Sequence, residues 1–446
     1  MRRKWHRLFY HENAFMWAIL LLTAIPIFPE YCAPVLAIAS LFVAGVDARK
    51  RNKDIQIGPL GKILLVYLIY TAIGIFYSAH PLNSLSTFAM WAVMFCGYLT
   101  VTTVVYTRRR LHTALFLVGI VAAFIGAVAC VQYLLITVLD KEVSNQLWLP
   151  LDEFFYRYFP MDIDLHMADN RASGTFNNPN ILGEYLAMLL PLIGYYGFSE
   201  FRTRRSLLTR IFLFIAILGA AVSFSRGAYI AMLSILLMIF VSNLKRITPL
   251  ALCVVAAISL IPEAIMNRFL SIGKGGSDSA ISERFEAWDV AIRTIIERPL
   301  FGLGPGVSNF WEKLQNAGVG APHSHNLVLQ ILVEGGFVAL FILCMIAIRM
   351  LQNSLELANR NRHGSGLGNS LVMFVVAFVV YGMVDYPFLS PKLVGNFLMI
   401  IGFADVIAHI YLRQPFAALL SVPITLWQRV SKRLASLNPK KISKSP

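Results

Sequence analysis

The chain repeatedly presents apolar runs that are long enough to cross a bilayer, and this feature limits its possible folds more than any other. With 57% hydrophobic residues, 14% charged residues and a mean hydropathy of +0.65, the composition excludes an ordinary soluble domain. We predict an all-α membrane protein, a single polytopic domain over residues 1–446 with about twelve transmembrane helices. The helices are expected near residues 14–29, 33–47, 61–79, 85–106, 111–139, 180–198, 209–223, 228–243, 247–262, 326–348, 369–386 and 391–412.

The basic residues indicate how these helices are oriented. The chain carries a net charge of +15, but its Lys and Arg residues lie between apolar runs instead of forming one face, so nucleic acid is not expected as a partner. Of the 39 Lys and Arg residues, 28 fall on the same side as the N-terminus. The positive-inside rule therefore predicts cytoplasmic termini and a basic cytoplasmic tail at 413–446. The first apolar run lacks a small-x-small cleavage site, so we expect an uncleaved first helix.

Two long segments, 140–179 and 263–325, are predicted on the opposite, outer side of the membrane. The second contains the stretch "ISERFEAWDVAIRTIIERP", in which apolar residues recur at helical spacing. That stripe consists of Ile281, Phe285, Trp288, Ile292 and Ile295. The helix is too short and too charged to cross the membrane, so we expect it to lie on the bundle or in the outer interface.

Three polar stretches stand at outer ends of apolar runs: "RASGTFNNPNILGEY", "SFSRGAY" and "GAPHSHNLVLQILVEGG". Arg226, in the second stretch, is costly because an arginine within a span raises the insertion free energy by about 2.5–3.5 kcal/mol. It therefore either binds an anion in a wet cavity or extends from a turn to the interface. Arg171 either pairs with neighbouring Asp169 at the surface or contributes to the same anion site.

His325 has two interpretations from the residues alone. It could belong to a helix cap, since Ser324 and Asn326 beside it are capping residues, or it could accept a proton from a hydroxyl near neutral pH. His323 is too close in sequence to share a helix face with it and is assigned a supporting role. No further ligand has convincing spacing to His323, His325 and Glu334, so neither a metal site nor a cofactor is predicted.

The stretch "GLGPG" at 302–306 imitates a dinucleotide fingerprint. It follows no predicted strand and contains a proline, so nucleotide binding is not expected.

Four stretches together resemble one family, the superfamily of O-antigen ligases and O-antigen polymerases. They are "GTFNNPNILGEYL", "SFSRGAY", "ERPLFGLGPG" and "HSHNLVLQILVEGG", in this order and at similar spacing. The likeness is close over residues 170–340 and extends to the whole chain by topology. A ligase pattern of His, Asn and Gly is met by His325, Asn326 and Gly336, whereas Ala339 departs from its last place.

The resemblance implies a GT-C-like helical fold and a glycosyltransferase of the bacterial inner membrane whose site faces the periplasm. It implies an undecaprenyl-diphosphate-linked glycan as donor and lipid A-core or another glycan as acceptor, without metal or nucleotide sugar. By position it implies His325 as catalytic base and Arg226 and Arg171 as diphosphate-binding residues. O-antigen ligation in lipopolysaccharide biosynthesis is the first expectation. Polymerisation of O-antigen or exopolysaccharide, protein O-glycosylation and non-catalytic lipid-glycan transport remain open.

Overall fold

The computed structural model describes residues 13–139, 171–199, 204–242, 279–360 and 365–420. The helices in these ranges are α1 (Asn13–Ala24), α2 (Cys32–Lys50), α3 (Pro59–Gly74), α4 (Pro81–Val104), α5 (Arg108–Leu139), α6 (Pro179–Ser199), α7 (Arg204–Val222), α8 (Arg226–Ser242), α9 (Ser279–Glu297), α10 (Ser308–Asn316), α11 (Leu327–Arg360), α12 (Ser365–Gly382) and α13 (Pro391–Leu412). Short 3₁₀ turns occupy Ile75–Tyr77 and Pro387–Leu389.

The predicted all-α, multi-pass membrane fold is confirmed. Within the described ranges, nine helices are long and apolar enough to cross a membrane, and α1 and α8 contain shorter apolar helices. The expected helix at 247–262 lies outside these ranges, as do 140–170 and 263–278 of the expected outer segments and 421–446 of the expected tail. Helix α13 lies at the centre of the bundle, where every residue from Lys392 to Ala408 is buried.

A two-stranded antiparallel sheet was not predicted. It pairs β1 (Ile55–Ile57) with β2 (Ala417–Leu420), one strand from a short connection and the other from the beginning of the predicted tail. The backbone of Gln56 also exchanges hydrogen bonds with the side chains of Thr102 and Thr103 on α4. Three residues are too few to show a strand periodicity, so the sequence alone does not reveal β1.

The chain turns lie at two opposite ends of the bundle. The first, which we call the basic end, contains 51–58, 105–107 and 413–416. There Asp405 accepts hydrogen bonds from the first amides of α3, and Asp47 pairs with Arg51 and Arg110. The second, which we call the site end, contains 25–31, 78–80, 171–178, 223–225, 323–326 and 383–390. All three polar stretches singled out in the sequence begin at the site end.

Helix α11 is broken at Gly336, whose backbone angles of φ 61° and ψ −166° are not helical. The break releases the amides of Phe337 and Val338, which donate instead to the carbonyls of Pro299 and Leu300 at 2.9 and 3.3 Å. Lipid offers no partner for such groups, so the segment after α9 closes the break. The ligase-like glycine thus has a structural explanation.

The glycine-rich stretch at 302–306 docks on the same break. Leu303 and Gly304 donate backbone hydrogen bonds to the carbonyls of Val333 and Glu334, at 2.8 and 2.9 Å. The amide of Gly306 donates to the Glu334 carboxyl group at 2.9 Å. The pattern that imitates a dinucleotide fingerprint is therefore used to attach a loop to a helix.

The division of α11 also explains its length. A straight helix of 34 residues would measure about 51 Å, well beyond the ~30 Å of a bilayer core. Residues 337–360 alone measure about 36 Å and are sufficient to span. The predicted end at 348 is wrong, because the helix continues to Arg360. Its last part remains buried at helical spacing, at Met350, Asn353, Ser354 and Leu357.

The amphipathic helix expected in the outer segment is present as α9. Its buried positions are Ala287, Ala291 and Thr294, whereas Phe285 and Ile292 are 61% and 50% exposed. Small residues allow the helix to approach its neighbours closely, and Trp288 and Ile295 of the apolar stripe are partly buried beside them. The exposed side chains of Phe285 and Ile292 are consistent with the expectation that α9 lies at a membrane interface.

Substitution of Gly336 by alanine should destabilise the protein. A side chain at these backbone angles costs about 1–3 kcal/mol, and its Cβ would overlap the Leu300 carbonyl group. We expect a lower melting temperature for Gly336→Ala in detergent. Gly45→Ala in α2, where a Cβ meets nothing within 4 Å, is the matched control and should melt at or above the wild-type temperature. Equal melting of the two variants would contradict this account of the break.

Candidate functional site

Four of the turns at the site end, 171–178, 223–225, 323–326 and 383–390, bring the three polar stretches together. The first turns of α6 and α8 pack closely, since a Cβ at Gly183 would collide with Ser223 and Ser225. Helix α8 in turn packs on α12, where Gly227 leaves room for the Tyr381 ring. The turn before α11 joins the turn after α12 through a 3.2 Å hydrogen bond from the Asn326 side chain to a backbone carbonyl.

Asp385, in the turn after α12, connects the two histidines. His325 Nδ1 lies 3.1 Å from Asp385 Oδ1, and His323 Nε2 lies 3.3 Å from the same oxygen. The two imidazole rings are 4.0 Å apart between their centroids. Because the carboxylate accepts a hydrogen bond from His325 Nδ1, the Nε2 nitrogen of that ring is left to exchange a proton.

The electrostatics of this group follow from burial and from the shared carboxylate. Burial alone would raise the pKa of Asp385, but the hydrogen bonds from His323 and His325 outweigh it and hold that pKa far below its usual range. Burial lowers the pKa of His323, and the Asp385 carboxylate only partly offsets this effect. His323 is therefore neutral near neutral pH, and Asp385 is ionised.

The residue next to His325, Asn326, provides the helix cap that had been one interpretation of His325. Asn326 Oδ1 accepts hydrogen bonds from the amides of Val328 and Leu329 at 3.0 and 3.1 Å, so Asn326 caps α11. The His325 backbone has a positive φ of 48°, which is unusual for a residue with a side chain. The helix thus needs no cap from the imidazole of His325, which is directed to Asp385.

Exposure distinguishes the two histidines. The His323 side chain is 7% exposed, whereas that of His325 is 21% exposed. Sequence spacing had separated the two residues by helix face, but the structure places both on one carboxylate oxygen. The ring of His325 is the more accessible of the two to an incoming hydroxyl group.

Arg171 is partly buried in the turn before α6 and is fixed by two hydrogen bonds. Its Nε donates to the Ser223 carbonyl at 3.0 Å and its Nη2 donates to Asn180 Oδ1 at 2.6 Å. The carbonyl of Asn180 also accepts a hydrogen bond from the Tyr381 hydroxyl group at 2.9 Å. Arg171 is thereby attached to the element that leads to Asp385. Its predicted alternative partner, Asp169, lies outside the described residues.

Arg226 is partly buried and begins α8, directly after the 223–225 turn. An arginine at this position adds its charge to the positive end of the helix dipole, so the region favours an anion. The close packing of α8 on α6 and α12 places this helix start between the turn that carries Arg171 and the turn that carries Asp385.

Sequence reasoning missed three groups in this region: Asp385, Tyr381 and the buried Glu184 on α6. The signal for Asp385 was available in "MVDYP", where one carboxylate follows an apolar run, much as the histidines precede one. Glu184 is 2% exposed and its Oε1 has no hydrogen-bond partner within the described part of the chain. A buried carboxyl oxygen of this kind is unusual and marks a polar site.

The Arg171 turn is held by side chains from two other helices. Gln132 on α5 both accepts from the Gly174 amide at 2.7 Å and donates to the Gly174 carbonyl at 3.1 Å. Lys392 on α13 donates to the Thr175 carbonyl at 2.6 Å and lies over the Phe176 ring. These contacts fix the backbone a few residues from Arg171.

The fold and the site define a multi-pass helical membrane protein with a histidine–aspartate pair and two arginines at one end. The family comparison agrees, since residues 211–344 match the family model described as O-Antigen ligase. The resemblance to the O-antigen ligase and polymerase superfamily that was drawn from the four stretches is thus confirmed.

Two curated relatives extend the comparison. The ComP-specific O-oligosaccharyltransferase of Acinetobacter baylyi (strain ATCC 33305 / BD413 / ADP1) is 26% identical over 239 residues, which are 49% of this chain and 41% of that protein. The exopolysaccharide production protein ExoQ of Rhizobium meliloti (strain 1021) is 28% identical over 158 residues, 32% of this chain and 35% of that protein. The chain thus matches less than half the length of either relative.

Replacement of Gln132 by methionine should loosen the Arg171 turn. The substitution keeps the size of the side chain but leaves the buried amide and carbonyl of Gly174 without partners, at a cost of about 1–3 kcal/mol each. We expect a lower melting temperature and faster hydrogen exchange over 171–178. Thr137→Ala on the same helix, which removes only a hydrogen bond within that helix, is the control. Unchanged exchange in the methionine variant would show that Gln132 does not hold the turn.

Proposed function

We propose that the protein transfers a glycan from an undecaprenyl-diphosphate carrier to an acceptor hydroxyl group on the outer side of the bacterial inner membrane. The observation that carries this proposal is the pairing of His325 with Asp385 at the end of the bundle where Arg226 and Arg171 also lie. A base beside cationic residues at the edge of a hydrophobic bundle fits a donor that joins a lipid to a diphosphate. The proposed roles of His325, Arg226 and Arg171 agree with those that the family resemblance implies.

In the proposed reaction, Arg226 and Arg171 bind the diphosphate. A guanidinium group can donate two parallel hydrogen bonds to phosphate oxygens, and in a poorly hydrated site these bonds stabilise the charge that develops on the leaving group. The arginines supply the charge neutralisation for which other glycosyltransferases use a metal ion. We therefore propose a metal-independent reaction.

His325 acts as the base. The acceptor oxygen attacks the anomeric carbon, its proton passes to His325 Nε2, and the bond from that carbon to the diphosphate oxygen breaks to release undecaprenyl diphosphate. Asp385 holds the ring through Nδ1 and stabilises the imidazolium that forms. A single displacement of this kind inverts the anomeric centre. Asn326 and Gly336 support the site by capping α11 and by allowing its break.

Ligation of O-antigen to lipid A-core is our first proposal for the acceptor, because the motif of His325, Asn326 and Gly336 resembles the ligase pattern. Protein O-glycosylation is the second candidate, favoured by the similarity to an O-oligosaccharyltransferase over 49% of the chain. Polysaccharide polymerisation is supported by the similarity to an exopolysaccharide production protein. All three acceptors present a hydroxyl group to the same base.

The polar cluster supports transfer over transport. A transporter that moves a lipid-linked glycan across the membrane needs binding groups accessible from both sides, whereas the residues described above gather at the site end. We propose that this end faces the periplasm and that both termini are cytoplasmic. The pairing of β1 with β2 supports the second point, because it places the beginning of the tail beside the predicted cytoplasmic connection at 51–58.

A reconstitution assay tests the function and identifies the acceptor. Purified protein is incubated with an undecaprenyl-diphosphate-linked glycan and, in parallel reactions, with lipid A-core, a second lipid-linked glycan or an acceptor protein. Transfer to lipid A-core would establish the first proposal, and transfer to one of the others would assign that acceptor instead. Absence of transfer to every acceptor, with folded protein and intact donor, would refute glycan transfer.

The variants His325→Ala and His323→Ala should differ sharply in that assay. Base catalysis contributes about 10² to 10⁴ in rate, so His325→Ala should lower the initial rate of transfer by this order. Donor binding should survive, because it depends on the arginines. His323→Ala should have a much milder effect, since its ring is more deeply buried. Initial rates, donor affinity and melting temperature are measured for both variants and for wild type.

The assignment of the base fails on either of two results. One is a rate for His325→Ala within a few-fold of wild type, and the other is a larger loss in His323→Ala than in His325→Ala. Unchanged melting temperatures are required for both readings, so that a folding defect is not mistaken for a catalytic one.

Arg226→Lys should retain the fold but lose most of the transfer activity. Lysine keeps the positive charge but lacks the planar fork that can bridge two phosphate oxygens. Arg293→Lys, at an exposed ion pair with Asp289 on α9, is the matched control and should transfer at the wild-type rate. Near-normal turnover by Arg226→Lys would show that a positive charge at this position is sufficient and that the planar guanidinium group is not required.

A further inference from the structure

We propose that His323, His325 and Asp385 form a reversible site for Zn²⁺, and that zinc bound there inhibits the transfer reaction. The inhibition rests on the proposed function, whereas the binding of the metal does not. The sequence predicted no metal site because no further ligand had convincing spacing to His323, His325 and Glu334. The structure supplies one from the turn after α12, 60 residues after His325.

The geometry is close to that of a zinc site. One nitrogen from each histidine and one carboxylate oxygen lie within 4.8 Å of one another. Ligands about 2.0–2.1 Å from a tetrahedral zinc ion are about 3.3 Å apart. The two nitrogen-to-oxygen distances, 3.3 Å to His323 and 3.1 Å to His325, already match that separation. Only the two histidine nitrogens need to adjust their distance.

The chemistry of the three groups selects the metal. Two imidazole nitrogens and one carboxylate favour zinc and related transition metals, whereas Mg²⁺ and Ca²⁺ prefer oxygen ligands. Three protein ligands leave the fourth tetrahedral position for water or a substrate oxygen. Arg284 lies nearby, with Nη1 donating to the Val384 carbonyl at 3.0 Å, and its charge opposes a cation. We therefore expect weaker binding than in structural zinc sites with four protein ligands.

Metal binding and base catalysis exclude each other at this site. The metal would occupy His325 Nδ1 and Asp385 Oδ1, the two atoms whose hydrogen bond orients the imidazole in the proposed reaction. A ring that coordinates a cation through Nδ1 is also a poorer base at Nε2, because a second positive charge would have to form beside the first. Zinc should thus inhibit transfer without displacing the donor from the arginines.

The test uses the full-length protein in detergent with ZnCl₂ as the probe. Zinc binding is measured by competition with a chromophoric chelator, and transfer is measured over a range of free zinc concentrations, with MgCl₂ in parallel. The variants are His323→Gln, Asp385→Asn and, as a matched control, His80→Gln. His80 lies at the same end of the bundle and forms an exposed pair with Glu312 at 2.8 Å. Each variant is compared with its own rate in the absence of zinc.

We expect one zinc ion per chain, inhibition by zinc and none by magnesium. Loss of a group that only supports a ligand typically weakens metal binding by about 10–100-fold, so loss of the ligand His323 should raise the half-inhibitory zinc concentration at least about tenfold. Asp385→Asn should weaken binding similarly, and His80→Gln should change neither quantity.

Unaltered zinc binding in both His323→Gln and Asp385→Asn would overturn the site. Zinc bound at wild-type affinity without inhibition, or equal inhibition by magnesium, would overturn the proposed exclusion. The binding measurement needs no substrate, so a protein that transfers no glycan to any acceptor but binds zinc through these residues would refute the proposed function and leave the site intact.

Discussion

The backbone groups released where helices break or end at the site end must be satisfied within the protein, because lipid offers them no partner. The interruption at Gly336 is closed by the carbonyls that follow α9, and the start of α11 is closed by Asn326. The turn before α6 is closed by Gln132, which pairs with both backbone groups of Gly174. The stretches that resemble the family are therefore the places where these backbone groups find their hydrogen-bond partners. They hold the backbone on which the candidate functional side chains are placed.

The charged residues occupy the same turns for a related reason. Arg226 begins α8, His325 lies two residues before α11 and Arg171 lies in the turn that leads to α6. At these places the backbone leaves the apolar interior, and a polar side chain can reach water or a headgroup. A helix start also presents free amides and the positive end of a dipole, which favour a diphosphate. A site of this type can thus be built from helix ends alone. This explains why polar residues occur at the edges of apolar runs in the sequence.

Much of the fold could be predicted from the sequence, because helix length and charge placement are local properties. Such patterns predicted the helices, the existence of α9 and the polar residues at the site end. They did not predict the burial of individual α9 residues, since hydrophobicity alone does not show that Ala287 and Ala291 are buried while Phe285 and Ile292 are exposed. Asp385 was missed because its relation to His325 exists only after α11 and α12 have packed together. The roles of Arg171, Arg226 and His325 in catalysis remain predictions.

Sequence spacing alone is a poor guide to which of two neighbouring histidines can serve as a base. His323 and His325 contact the same oxygen of Asp385, so proximity to the carboxylate does not separate them. What separates them is how deeply each ring is buried. Burial lowers the pKa of His323 and disfavours its charged form, whereas the ring of His325 is more open to solvent and still in contact with Asp385. A ring that must accept a proton in one step and return it to water after the reaction needs both properties. Of the two histidines, only His325 has both.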